Sequence, residues 1–181
     1  MKANIQNFQN EKVVKLIIVM MSLIIVAVWM LLCFNKLYIR EIKPDNYHQV
    51  NNFMEGYMFN VDNVNFSSDH LSNTRDYIEI SGWVISSSED MDRATIDVVL
   101  KSLTTGKCYK VPTTVVERPD ITEAYGVAQD KRYNWSGFKL KIPHGKKINP
   151  NESDYEIMAL LRVNGGNTIL VDSGVSMWGM Q

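Results

Sequence analysis

Two cysteines in 181 residues leave little room for covalent bracing, because Cys33 lies inside an apolar run and Cys108 stands alone in the polar remainder. No disulfide can staple the polar part internally, so it has to fold on its own core. Cys108 is read as a small buried apolar residue or a reactive thiol, burial being the commoner state of cysteine. Histidine is as scarce. His48, His70 and His144 are the three; they show neither H-x-H nor H-x-x-x-H spacing, and paired cysteines are missing. That pattern argues against a zinc site and supplies no motif in which an imidazole serves a nucleophile. The expectation is a non-enzyme with no cofactor and no metal site.

Net charge is also low, at −1, but the sum hides two unlike parts. Residues 1–44 carry six Lys/Arg against Glu11 and Glu41, a balance of +4, whereas the remaining 137 carry thirteen against eighteen Asp/Glu, a balance of −5. Nucleic-acid partners require clustered positive charge, so an acidic main part argues against them. Neither a repeat nor a low-complexity tract is present.

One stretch lacks charge altogether. Leu16 to Phe34 reads LIIVMMSLIIVAVWMLLCF, nineteen residues, and at about 1.5 Å per residue a helix of that length crosses a hydrocarbon core of about 30 Å. A cleaved leader would have a shorter apolar region followed by a small-residue site, and Leu32 before Cys33 is not the small residue that lipoprotein processing uses. The segment is read as an uncleaved anchor. Lys2, Lys12 and Lys15 before it are balanced by Lys36, Arg40 and Lys43 after it, so the positive-inside rule gives little; the short N-terminal tail favours a cytoplasmic N-terminus and an extracytoplasmic domain. The expected organisation is a tail over 1–15, a transmembrane helix over 16–34, a linker or helix extension over 35–55 and a β domain over 56–181.

Beyond the anchor, apolar residues alternate with polar ones in short runs, the period of a half-buried strand. Ile78, Ile80 and Val84 share one face, as do Ile96, Val98 and Leu100, then Phe138, Leu140 and Ile142 against Lys139 and Lys141, and Tyr155, Ile157, Ala159, Leu161 and Val163. A first strand falls within residues 56–66. Asn164-Gly165-Gly166-Asn167 marks a hairpin turn, since such residues supply positive φ, and Thr104-Thr105-Gly106 links the second strand to the run at 107–115. The segment RPDITEAYG at 118–126 predicts a short helix crossing between sheets, with Pro119 in its first turn. The fold class is therefore all-β: an immunoglobulin-like or jelly-roll-like antiparallel β-sandwich of about seven or eight strands, preceded by one transmembrane α-helix.

Three elements at strand edges, GWVISS at 82–87, RPDI at 118–121 and WSGF at 135–138, resemble the "GWA", "RPDV" and "SGF" elements of a bacterial β-sandwich module associated with cell-surface polysaccharide glycosyltransferases and envelope proteins. The resemblance covers about residues 57–165, with Val and Ile standing for Ala and Val. It implies a non-catalytic sandwich and a place in the cell envelope, and carries no agreed set of binding residues.

Other chemistry is thinly represented. Glu89-Asp90-Met91-Asp92 offers carboxylates to calcium but lacks the glycine and distal Glu of an EF-hand loop, so a solvated turn is the plainer reading. Gly174-Val175-Ser176-Met177-Trp178-Gly179 spaces its glycines one residue too widely for a nucleophile elbow. Three N-x-S triplets, at Asn65, Asn134 and Asn151, matter only in a eukaryotic secretory pathway. Aromatics are the remaining signal, because sugar rings stack their C–H faces on Tyr and Trp beside polar groups that bond hydroxyls. Tyr125, Tyr133 and Trp135, with Arg118 and Asp120, form the candidate ligand-binding edge. Against this, Arg118 and Asp120 bond each other or cap the short helix, Trp135 belongs to the core, and Trp83 and Trp178 serve packing. The functional expectation is a membrane-anchored accessory protein that binds cell-surface glycan or docks onto a membrane-bound glycosyltransferase or assembly partner; the alternative is a structural subunit of a membrane complex, its helix packing on others through Ser22 and Ala27.

Overall fold

The computed structural model describes residues 2–68, 76–87, 91–125, 133–143, 145, 147–149, 154–163 and 166–177. Helix α1 runs over Lys2–Leu37. Its window Val13–Leu31 has a mean hydropathy of 2.7 and is long and apolar enough to cross a membrane. Ser22, a polar residue in the middle of this window, turns its hydroxyl back onto the carbonyls of Ile18 and Val19 at 2.8 and 3.0 Å, which satisfies it within the helix. Chain contacts divide the molecule into a unit ending at Tyr38 and a second beginning at Ile39.

The second unit is mostly β, with strands β1 (Arg40–Ile42), β2 (His48–Asn51), β3 (Tyr57–Ser68), β4 (Asp76–Ser86), β5 (Thr95–Ser102), β6 (Cys108–Lys110), β7 (Thr114–Val116), β8 (Gly137–Pro143), β9 (Tyr155–Arg162) and β10 (Thr168–Met177), and a short helix α2 (Pro119–Tyr125). They form a six-stranded sheet ordered β1-β6-β5-β9-β10-β2 and a four-stranded sheet ordered β3-β4-β8-β7. The alternating faces meet as expected. Phe59, Ile78, Ile80, Val84, Phe138, Leu140 and Ile142 of the smaller sheet share one buried cluster with Ile96, Val98, Leu100, Ile157, Ala159 and Leu161 of the larger. Each of these side chains larger than alanine contributes about 1.5 to 3 kcal/mol on burial.

Three features differ from the sequence reading. Residues 35–55, expected as a linker or helix extension, carry the end of α1 to Leu37 and then β1 and β2, and the run at 107–115 is two strands, because residues 111–113 carry the chain from one sheet to the other; the described strands therefore number ten rather than seven or eight. Pairing is not wholly antiparallel. Strand β2 joins β10 in parallel, with Val50 opposite Val171. Helix α2 does not cross between sheets, since β7 and β8 on either side of it are neighbours in the smaller sheet, Val115 facing Phe138.

A second apolar cluster lies on the outer face of the larger sheet: Val99, Cys108, Met158, Leu160 and Leu170, with Ile42 and Tyr47 packed against it. The segment joining β1 to β2 passes from one edge of this sheet to the opposite edge, which brings Ile42 and Tyr47 to that face. Cys108 is fully buried there, and burial pushes its thiol above the ordinary range. Strands β9 and β10 form the expected hairpin, Arg162 opposite Thr168, although its turn residues Asn164 and Gly165 fall outside the described residues, as do His70, Glu89, Asp90, His144, Asn151 and Trp178.

Candidate functional site

The segments 82–87, 118–121 and 135–138 come together at one end of the smaller sheet. Gly82 and Trp83 of β4 lie opposite Phe138 and Gly137 of β8, and the Val84 N–H donates to the Ser136 carbonyl at 3.0 Å. Gly137 is required by what crosses it: a Cβ there would lie 2.5 Å from Arg118 Cγ and 2.8 Å from Val116 Cγ2. The missing side chain makes room for the arginine stem.

Arg118 fans its guanidinium over two carboxylates. Nε and Nη2 donate to Asp120 at 2.9 and 2.7 Å, and Nη1 donates to Asp62 Oδ2 of β3 at 2.5 Å. These charge-assisted bonds hold the guanidinium protonated throughout the physiological range, and the same contact holds the Asp120 carboxyl below its ordinary value. The backbone is tied as well. Arg118 N–H donates to Asn134 carbonyl at 2.7 Å, Ile121 N–H donates to Arg118 carbonyl at 3.0 Å, and Thr122 Oγ1 donates to Asn134 Oδ1 at 2.8 Å. Helix α2 is thereby pinned to the loop before β8.

Of the five residues singled out in the sequence, Arg118 and Asp120 are partners of each other, and Tyr133 is buried at 4 % exposure. Tyr133 belongs to the core and offers no free ring face. Tyr125 and Trp135 are open, at 49 % and 42 %, so Trp135 is not the core residue its alternative reading supposed. The Tyr125 ring lies against Trp83, with centroids 5.3 Å apart and planes tilted by 41°, which fixes one face and leaves the remainder accessible. Both open aromatics are placed next to the end of β4, Tyr125 through Trp83 and Trp135 through the Ser136–Val84 bond.

Sequence reasoning missed Asp62 and Gly137. Asp62 could have been noticed as the lone charge in a strand that is otherwise neutral, and Gly137 as a glycine inside a strand, which marks close approach of another group. Ser136 also went unremarked; its Oγ is buried without a hydrogen-bond partner among the described residues. Among the described residues no group of three His, Cys, Asp or Glu is arranged to hold a metal ion. Comparison of the chain with protein-family models, curated proteins and solved structures found no match.

Proposed function

We propose that this chain is a non-catalytic, membrane-anchored accessory protein of the cell envelope, whose immunoglobulin-like or jelly-roll-like sandwich, extracytoplasmic in this reading, binds glycan along the edge carrying Tyr125 and Trp135. The observation that carries the reading is the pair of open aromatic rings set beside a braced polar cluster. Trp135 offers a wide apolar face, Tyr125 a ring with a hydroxyl, and Asp120 a half-exposed carboxylate, the mixture that sugar recognition uses. Rigid support lowers the ordering cost of binding, and the Arg118 bonds to Asp62 and Asp120 supply it. Arg118 is a positioning residue here, and Tyr133 supports the edge from the core side.

The test is a titration of the full chain in lipid nanodiscs with purified surface polysaccharide fragments, followed by tryptophan fluorescence and calorimetry. Saturable binding that falls at least about tenfold in Trp135→Ala, a loss typical of a stacked aromatic anchor, supports the reading. A folded protein that binds no fragment refutes it.

A docking role on a polysaccharide-processing partner draws on a different place. Phe53 is 76 % exposed and Met54 is also open, on a turn with positive φ at Phe53, Glu55 and Gly56. Such backbone costs of order 1 to 3 kcal/mol per non-glycine residue, and the turn is held by Phe53 N–H to Tyr57 carbonyl and Ser87 N–H to Gly56 carbonyl at 2.9 and 2.7 Å.

A further inference from the structure

Strand β3 is an edge of the smaller sheet and is twelve residues long, whereas the other edge strands, β1, β2 and β7, have three, four and three. A free edge is a row of unpaired backbone groups, which proteins shield with short strands, charges or proline. The first half of β3 is shielded. Tyr57 N–H donates to Met54 carbonyl at 3.0 Å and its carbonyl accepts Phe53 N–H at 2.9 Å. At Phe59 the Asn52 side chain closes both groups, Oδ1 accepting the N–H and Nδ2 donating to the carbonyl, each at 2.8 Å.

These bonds show that Tyr57 and Phe59 turn their backbone groups away from β4. Outward and inward residues alternate along an antiparallel edge, and the irregularity between Val61 and Asn63 inserts one residue, which shifts the alternation by one. Beyond it, Val64 and Phe66 present their N–H and C=O outward, and among the described strands only β4 pairs with this half. No gatekeeper stands there. Residues 63–68 read NVNFSS, without charge or proline, and the lone charge of the strand, Asp62, is held by Arg118. Val64 and Phe66 pack against the core yet stay only part-buried, with no strand beyond them among the described residues.

We propose that residues 63–67 pair antiparallel with the same segment of a second copy of this chain, joining two four-stranded sheets into one continuous sheet. The segment is self-complementary. A two-fold axis at Asn65 sets Asn65 opposite its own counterpart, Val64 opposite Phe66 and Phe66 opposite Val64. The outward backbone groups of Val64 and Phe66 then meet in hydrogen-bonded positions, aromatic faces β-branched side chain across the strands, and the two amides at Asn65 can bond each other. Absence of charge matters doubly at a two-fold axis, where any charge near it meets its own like. This pairing is independent of the glycan reading.

The experiment uses the full chain carrying Cys33→Ala, in detergent micelles and in nanodiscs, with mass from light scattering and cross-linking from added cysteines. The proposal expects a dimer, and an intermolecular disulfide in Asn65→Cys, because an antiparallel pair on the axis holds its Cα atoms about 4.5 Å apart. Asn63→Cys, which the axis sets opposite Ser67, should link at least about tenfold more slowly on that distance criterion. Asn65→Lys, an exposed position, should weaken the dimer at least about tenfold by opposing like charges without lowering the melting temperature of the monomer. A monomer that forms no Asn65→Cys link overturns the proposal, as does a dimer that links equally through Asn63→Cys or ignores Asn65→Lys. Linkage of Asn65→Cys to a different protein in native membranes overturns it in favour of a foreign strand.

Discussion

Arg118 and Asp62 join the two edges of the four-stranded sheet: Arg118 follows edge strand β7, Asp62 interrupts edge strand β3, and their side chains meet at 2.5 Å. Both are partly exposed, 23 % and 34 %, so solvent screening reduces what the ion pair contributes. Arg118→Ala is expected to cost about 1 to 2 kcal/mol, since it also strands the loop bonds to Asp120. A double-mutant cycle with Asp62→Asn, read by denaturant melts, should give a coupling of about 0.5 to 1 kcal/mol. Additive single effects would mean that the contact is only geometric.

Gly137→Ala should destabilise by about 1 to 3 kcal/mol, the usual range for forcing atoms into a filled site. Arg118→Ala in the same chain should recover part of this loss and no more, because Val116 carbonyl oxygen also lies 2.9 Å from the new Cβ. Thermal melts of the two single variants and the double variant decide it.

Ser136→Ala should leave stability unchanged or raise it slightly, since its buried hydroxyl has no partner among the described residues and an unpaired buried polar group carries a desolvation penalty. A loss above about 1 kcal/mol, the net worth of an ordinary hydrogen bond, would show that the hydroxyl is bonded.

Asp172 sits beside Glu156 on the outer face of the larger sheet, and Lys101 donates to Glu156 at 2.7 Å. Burial, then the Glu156 carboxylate, raises the Asp172 carboxyl, while the Gly174 N–H bond and Lys101 oppose the rise. A raised acid in the folded state stabilises below its unfolded value, and that contribution is lost as pH climbs through the folded one. Asp172→Asn should therefore raise the melting temperature at pH 7 to 8, with the gain shrinking as pH falls toward about 4, the ordinary carboxylate range. A gain that is flat with pH would remove titration as the cause.

Asn52→Ala should loosen the turn at residues 53–56 and cost about 1 to 3 kcal/mol, because Phe59 N–H and C=O lose the amide that caps them. Amide exchange at Phe59 should speed up by more than exchange within β9, which lies inside the other sheet.

Much of the fold was legible because a strand writes its buried face into every second residue. The run from Tyr155 to Val163 declared its inward set directly, and β4 buries Ile78, Ile80 and Val84, the face that its alternation marked. The same rule hid the outer cluster: Met158 and Leu160 occupy the face that alternation assigns to solvent, and they are buried because Ile42 and Tyr47 pack against it. Nothing local in residues 40–51 signals that cover, since β1 and β2 are three and four residues long and draw their stability from distant partners.

The candidate edge divides in the same way. Which aromatics stand near residues 118–136 is plain from the sequence, but Tyr133 and Trp135 are two positions apart and have opposite fates, one in the core and one in solvent.

By itself the sequence determined the apolar helix, the β character of the main part and the inward faces of its principal strands, because each is set by neighbours within a few residues. Tertiary structure alone decided strand order, the parallel placement of β2, the cover over Cys108 and the reach of Arg118 to Asp62, because those depend on contacts between residues up to 121 positions apart, such as Asn52 and Ser173, which local pattern does not encode.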